Sequence, residues 1–277
     1  MRYLQTRKQQ IISLLILSLL ITYLFYVFLP EGVDWINTFF VVAKNPFSPY
    51  QTWSFINPPW VALLLTPLGL LPARLSGAVN ASITFFIISI FVVKEKGKLI
   101  ELILVLTSLP FLAALYTGTI EWIPVLAFLL PAEVGMLLLL AKPQSGIFAG
   151  LIWWKKSNQK LRLLLFGGGA LLVSFLVWGN WIEKIATNIR YMDATGIGLS
   201  LHNASPWPWG IPVGLFLLYL AWKKSDELLA VIATMFLVPY YVIHSLTLGF
   251  ACVVLKNRRV GVAVWLLLWF FAIYRSL

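Results

Sequence analysis

The sequence predicts an all-α polytopic membrane protein, and three observations carry that prediction. Of its 277 residues 60% are hydrophobic and only 11% charged, with a mean hydropathy of +0.88. Soluble domains sit near half apolar and a quarter charged. Several apolar runs reach the roughly 18 residues needed to cross about 30 Å of hydrocarbon. The basic residues fall in short clusters between those runs, as orientation signals do. An outer-membrane barrel would instead read as short segments of alternating polarity. A single integral membrane domain is expected over residues 1–277, with no soluble domain and no low-complexity linker.

The first span is expected at 10–29. Arg2, Arg7 and Lys8 precede an apolar stretch from Ile11 to Leu29 that is too long for a signal-peptide core and lacks a small-x-small cleavage site. It therefore reads as a retained anchor. Residues 30–73 read as one long outer loop. Its run "NPPWVALLLTPLGLLP" (57–72) is broken by Pro58, Pro59, Pro67, Gly69 and Pro72, which suits short juxtamembrane helices rather than a continuous span.

Further apolar runs lie at 74–93, 99–116, 163–180, 210–222, 228–243, 245–255 and 260–274. Those at 120–131, 134–142 and 146–154 are too short for the full bilayer. They read as half-depth helices lining a protein-walled cavity, where broken helices are tolerated. In all, about nine to eleven membrane segments are expected on hydropathy.

With the N-terminus inside, fifteen of the 21 Lys and Arg fall on the cytoplasmic face, in the clusters Arg2–Lys8, Lys94–Lys98, Lys155–Arg162, Lys223–Lys224 and Lys256–Arg259. Lys44, Arg74, Lys142, Lys184, Arg190 and Arg275 make up the six on the other face. This asymmetry holds only if 57–72 does not cross, and it predicts a multi-pass protein of the cell membrane with a cytoplasmic N-terminus. Trp35, Trp53, Trp60, Trp122, Trp178, Trp181, Trp207 and Trp209 then share the outer side, as a headgroup-level belt would.

The net charge of +11 is scattered over those clusters and does not form a phosphate-tracking stripe, so no nucleic-acid partner is expected. The single cysteine, Cys252, lies within an apolar run. That excludes a disulfide framework and a thiolate metal site, and neither metal nor cofactor is expected.

The polar chemistry gathers on the outer side. Glu31 and Asp34 follow the first span, Glu121 lies in "YTGTIEW", and Lys142 and Gln144 lie in "LLLLAKPQSG". His202 and Asn203 lie in "LSLHNASPWPWG", and His244 in "LVPYYVIHSL". Each has a plain reading: a solvated carboxylate, a snorkelling lysine, a histidine bonded to a neighbouring helix. Asn203-Ala204-Ser205 also fits a glycosylation sequon. Together they fit group transfer from a lipid-linked phosphate. A carboxylate facing water acts as general base toward a hydroxyl. Lys142, the histidines and Arg74 or Lys44 neutralise a phosphate leaving group.

At this point the chain resembles the GT-C superfamily of glycosyltransferases, and within it glycosyltransferase family 87, the polyprenyl-phosphomannose-dependent type. The resemblance rests on an Asp soon after the first span followed by "NPFSPY", on "INPPWVALLLTPLGLLP", on "GTIEWIPVLAFLLP" with "AKPQSG", and on "LVPYYVIHSL". "LHNAS" is similar to an Asn-x-Ser element of a late outer loop. Thr119 stands where the family usually has Gln, and the region 120–155 is compressed.

The resemblance implies a GT-C-like bundle with two juxtamembrane helices in the first outer loop and Asp34 as catalytic base. It further implies that Lys142 and His244 face the donor phosphate or acceptor. The expected donor-phosphate set is Lys142, His244, His202 and Arg74; the expected substrate-contacting set is Glu121, Gln144, Asn203, Tyr50 and Tyr241. The expected partners are a polyprenyl-phosphate-linked hexose, mannose by family type, a lipid or glycan acceptor, and membrane lipids. The rival expectation is a non-catalytic lipid-carrier binder, a transporter, or a membrane subunit of a larger complex. A transporter would place its polar groups near mid-bilayer within an inverted repeat.

Overall fold

The computed structural model describes residues 16–195 and 203–276, and those residues are all-helical, with no strand among them. The helices, numbered in chain order, begin with α1 (Ile16–Phe28) and α2, a π-helical turn Trp35–Phe39 that continues as Phe40–Lys44. Then come α3 (Trp60–Gly69), α4 (Ala73–Lys94), α5 (Leu99–Leu106), α6 (Leu109–Thr117), α7 (Trp122–Leu126), α8 (Ala132–Ala141) and α9 (Ile147–Lys156). The remainder are α10 (Lys160–Trp178), α11 (Trp181–Ala194), α12 (Ile211–Lys224), α13 (Glu227–Leu237), α14 (Thr247–Lys256) and α15 (Arg258–Ser276).

Two helices, α4 and α10, are each long and apolar enough to cross a membrane, and α5 with α6 makes a third candidate bent by 51°. The nine to eleven expected spans are therefore not matched by as many long helices. Most of the apolar runs form helices of 10 to 14 residues, about 15–21 Å at 1.5 Å per residue. The expected shortness of the segments around 120–154 is seen in α7, α8 and α9. The run at 57–72 forms the ten-residue α3, too short to span, packed against α2. The outer stretch after 180 holds a helix that hydropathy did not suggest, because α11 interleaves Glu183, Lys184, Thr187, Asn188, Arg190 and Asp193 with its apolar side chains. The described part of the first expected span is the 13-residue α1.

The bend between α5 and α6 has a local cause. Ser108 caps α6 and Pro110 follows it, so the ladder cannot run through. The carbonyl of Thr107, freed at the break, accepts from the indoles of Trp265 and Trp269 on α15 at 3.2 and 3.1 Å. Irregular backbone is thus satisfied by protein rather than left to lipid.

Charge sorts to one end. Lys156 meets Glu227 at 2.8 Å, Arg162 meets Glu133 at 3.2 Å, Arg258 meets Glu101 at 3.6 Å, and Lys256 pairs with Asp226. Asp226 also caps α13 by accepting from Leu229 N. From this end α8 and α9 extend about 15 Å, roughly half the ~28 Å of α10. The C-terminal tip of α8 and the N-terminal tip of α9 therefore lie about 15 Å along the helices from the ion pairs.

The tryptophans divide. Trp207 and Trp209 are exposed, but Trp35, Trp122, Trp178 and Trp181 are buried and pack within the protein. The expected belt is only partly a lipid-facing one: the Trp122 and Trp181 indoles donate to Asn80 on α4 and Ser174 on α10, Trp178 donates to the Pro46 carbonyl, and Trp35 is packed in the core.

Candidate functional site

The helix tips converge on one buried cluster. The turn after α6 supplies Glu121, the turn after α8 supplies Lys142, and the 3-10 turn Ile243–Leu246 before α14 supplies His244. The loop after α1 supplies Asp34. Glu121 Oε1 accepts from the Lys142 ammonium and lies 2.8 Å from His244 Nδ1. Ser245 Oγ reaches the same oxygen at 3.4 Å. On its other side His244 presents Nε2 to Asp34 Oδ2 at 3.9 Å.

Burial grades across the cluster. The side chains of Glu121, Lys142 and His244 are 1%, 6% and 12% exposed, while that of Asp34 is 40% exposed. Asp34 is thus the carboxylate open to an incoming molecule, and Glu121 the one sealed inside. An unpaired charge at this depth would cost several kcal/mol, so Lys142 and Glu121 need each other. Glu121 Oε2 has no hydrogen-bond partner among the described residues, so Oε1 alone meets both Lys142 and His244.

Neighbouring backbone fixes these side chains. Gly118 ends α6 in the left-handed conformation (φ 74°), which non-glycine residues rarely adopt. Asn80, a lone amide on α4, donates to the carbonyls of Gly118 and Thr119 at 3.3 Å each and accepts from the Trp122 indole at 2.9 Å. It therefore clamps both sides of Glu121. A Cβ on Gly32 would stand 2.4 Å from Thr117 C, so the Asp34 loop lies directly against this same turn. Asn57 donates to the Ala141 carbonyl at 2.8 Å, next to Lys142, and its own carbonyl accepts from the Tyr50 hydroxyl at 3.0 Å. Burial pushes the Tyr50 phenol well above its ordinary pKa, which keeps it a protonated donor.

The residues expected from sequence fall into three groups. Asp34, Glu121, Lys142 and His244 come together. Gln144, Tyr241 and Asn203 form an adjoining layer: the Tyr241 hydroxyl donates to the Gln144 carbonyl, and Asn203 Oδ1 accepts from Tyr241 N at 3.0 Å. Tyr50 joins through Asn57.

Arg74 stands apart. Its guanidinium caps α1, donating to the Tyr26 carbonyl at 3.0 Å, with its fork over the Tyr26 ring. The helix end leaves carbonyls unpaired, and Arg74 satisfies them. His202 lies outside the described residues.

Glu121 was expected to contact substrate and is instead the buried partner of Lys142 and His244. Asn57, Asn80 and Ser245 were not singled out. An amide inside the apolar run 74–93 needs a partner, and that signal could have found Asn80. Among the described residues no three His, Cys, Asp or Glu groups converge as a metal site requires.

Comparison with known proteins returned no matching family model, no similar curated protein and no similar solved structure.

Proposed function

We propose that this chain is a polyprenyl-phosphate-sugar-dependent glycosyltransferase of GT-C type, acting at the outer side of a membrane. The observation that carries the reading is the convergence of Asp34, His244, Glu121 and Lys142, from four separate segments, at the meeting point of half-length helices. The apolar surfaces exposed along α1, α10 and α15 support a multi-pass membrane setting, because water would disfavour them and hydrocarbon would not.

Asp34, the exposed carboxylate, takes the proton of an acceptor hydroxyl as its oxygen attacks the anomeric carbon from the face opposite the leaving group. The bond from that carbon to the phosphate oxygen breaks, its electrons go to the phosphate, and the configuration inverts. A phosphate leaves without a general acid, so one base suffices. His244, held by Glu121 through Nδ1, turns Nε2 toward Asp34 and orients it. Protonated, His244 also meets the charge growing on the phosphate. Lys142 is matched by Glu121, so its share in holding phosphate is weaker than that of a free ammonium.

The test is incubation of the purified chain with synthetic polyprenyl-phosphate hexoses, watching for release of polyprenyl phosphate. Release that depends on Asp34 is expected. Hydrolysis or transfer that is equal in Asp34→Asn would remove the mechanism.

One observation favours a second reading, a lipid-carrier transporter. Lys142 stands one helix length, about 15 Å, from the ion pair of Glu133 at the start of α8, and a buried ion pair set back from a helix end suits the polar groups with which transporters hold substrate. Movement of an intact lipid-linked sugar across vesicles, without release of polyprenyl phosphate, would select it.

A further inference from the structure

An open groove of about 560 Å³ lies between residues 47–51 and α11, within the size range of small-molecule sites. One wall is aromatic. Phe47 is 70% exposed and stacks on Trp178 with ring centres 6.4 Å apart and planes 17° from parallel. Tyr50 continues that wall. The other wall is a face of α11 whose positions 180, 183, 184, 187 and 188 recur at helical spacing. That face is polar throughout: Asn180, Glu183, Lys184 and Thr187 are open to solvent, and the Asn188 amide turns inward to the carbonyls of Thr52 and Phe55.

The charge of the groove argues about its ligand. Its one ammonium, Lys184, donates to the Trp178 carbonyl at 2.9 Å, and Glu183 accepts from the Asn180 amide at 2.8 Å. One positive and one negative group line the groove, so its formal charge sums to zero and favours an ion of neither sign. A phosphate or anionic headgroup would want uncommitted cations. A ring with an apolar C–H face and hydroxyls at its edge matches an exposed aromatic on one side and neutral donors and acceptors on the other. One wall of the groove is tied to the segment that carries Lys142: the Tyr50 hydroxyl donates to the Asn57 carbonyl, and the Asn57 amide donates to the Ala141 carbonyl.

We propose that this groove binds a neutral saccharide, and that the acceptor of the transfer reaction is therefore a glycan whose pyranose ring packs on Phe47. The inference of acceptor class rests on the glycosyltransferase reading; the saccharide site does not. The test is saturation-transfer NMR on the full chain in detergent with maltotriose, mannotriose and chitotriose, and with glycerophosphate and phosphocholine as charged probes.

At least one trisaccharide should bind, with saturation strongest on ring C–H protons. Phe47→Ala should weaken it about tenfold and Asp34→Asn should leave it unchanged. Thr187→Val, at an exposed position, provides a second variant that removes a hydroxyl without disturbing the rings. Binding by none of the three sugars, binding indifferent to both Phe47→Ala and Thr187→Val, or preferential binding of the phosphate probes overturns the proposal. Saccharide binding without any transfer from polyprenyl-phosphate hexoses sustains the groove and rejects the glycosyltransferase reading. Transfer to a glycan with no change in acceptor KM in Phe47→Ala does the reverse.

Discussion

Among the described residues ion pairs form in two places, and they differ in almost every respect except chemistry. At the charged end Lys156 and Glu227 are 47% and 30% exposed, and the neighbouring pairs are similarly open. At the helix tips Lys142 and Glu121 are 6% and 1% exposed and share a histidine. Exposed pairs contribute well under 1 kcal/mol in most measurements, whereas breaking a buried pair leaves a charge stranded in low dielectric. The first set costs little to form; the second costs folding energy and so needs a reason to exist. Chemistry on a neighbouring exposed carboxylate is such a reason.

That contrast can be broken or sharpened experimentally. The largest effect expected is on activity: Asp34→Asn should lower transfer by about 10²–10⁴-fold, the range for loss of a general base. Because the side chain is half open, thermal unfolding should hardly change; a collapse in stability would recast Asp34 as structural.

Next comes Lys142→Met, which strands the Glu121 charge and should cost about 3–5 kcal/mol in a detergent unfolding assay. The pair Glu121→Gln with Lys142→Met should recover most of it, and strict additivity would deny the coupling. Gly32→Ala follows, with a clash against α6 worth about 1–3 kcal/mol and a loss of transfer larger than stability alone explains. The smallest effect belongs to the charged end, where Lys156→Met should shift stability by less than about 1 kcal/mol. A larger shift there would erase the distinction between the two regions.

Much of this contrast was legible in the chain. Four residues of the positive clusters, Lys156, Arg162, Lys256 and Arg258, are paired with Glu227, Glu133, Asp226 and Glu101. The short runs before and after Lys142 announced helices too brief to span. What hydropathy could not give was the partner of Lys142, because the ion pair joins residues 21 positions apart through tertiary packing. Nor could it give the place of Arg74, whose attraction to α1 depends on which helix end lies nearby.

The helix α11 was hidden for a different reason. Its 14 residues intersperse charged and amide side chains among apolar ones, and a search for unbroken apolar runs passes over such a pattern. Trp35 and Trp122 were assigned to the interface because indoles favour it, yet their rings fill space between helices. Residue type alone does not tell an interior indole from an anchoring one.

The contact of Gly32 with the Thr117–Gly118 peptide has a consequence for how this chain can change over time. Asp34 stands two positions beyond one side of that seam and Glu121 three beyond the other, so the gap between the acids is dimensioned by backbone and barely by helix packing. Insertions within 33–34 or 119–120 would put one acid out of step with the other. Lengthening α10 or α15 would leave their spacing untouched, so tolerance to indels should fall sharply at the seam and nowhere else along those helices.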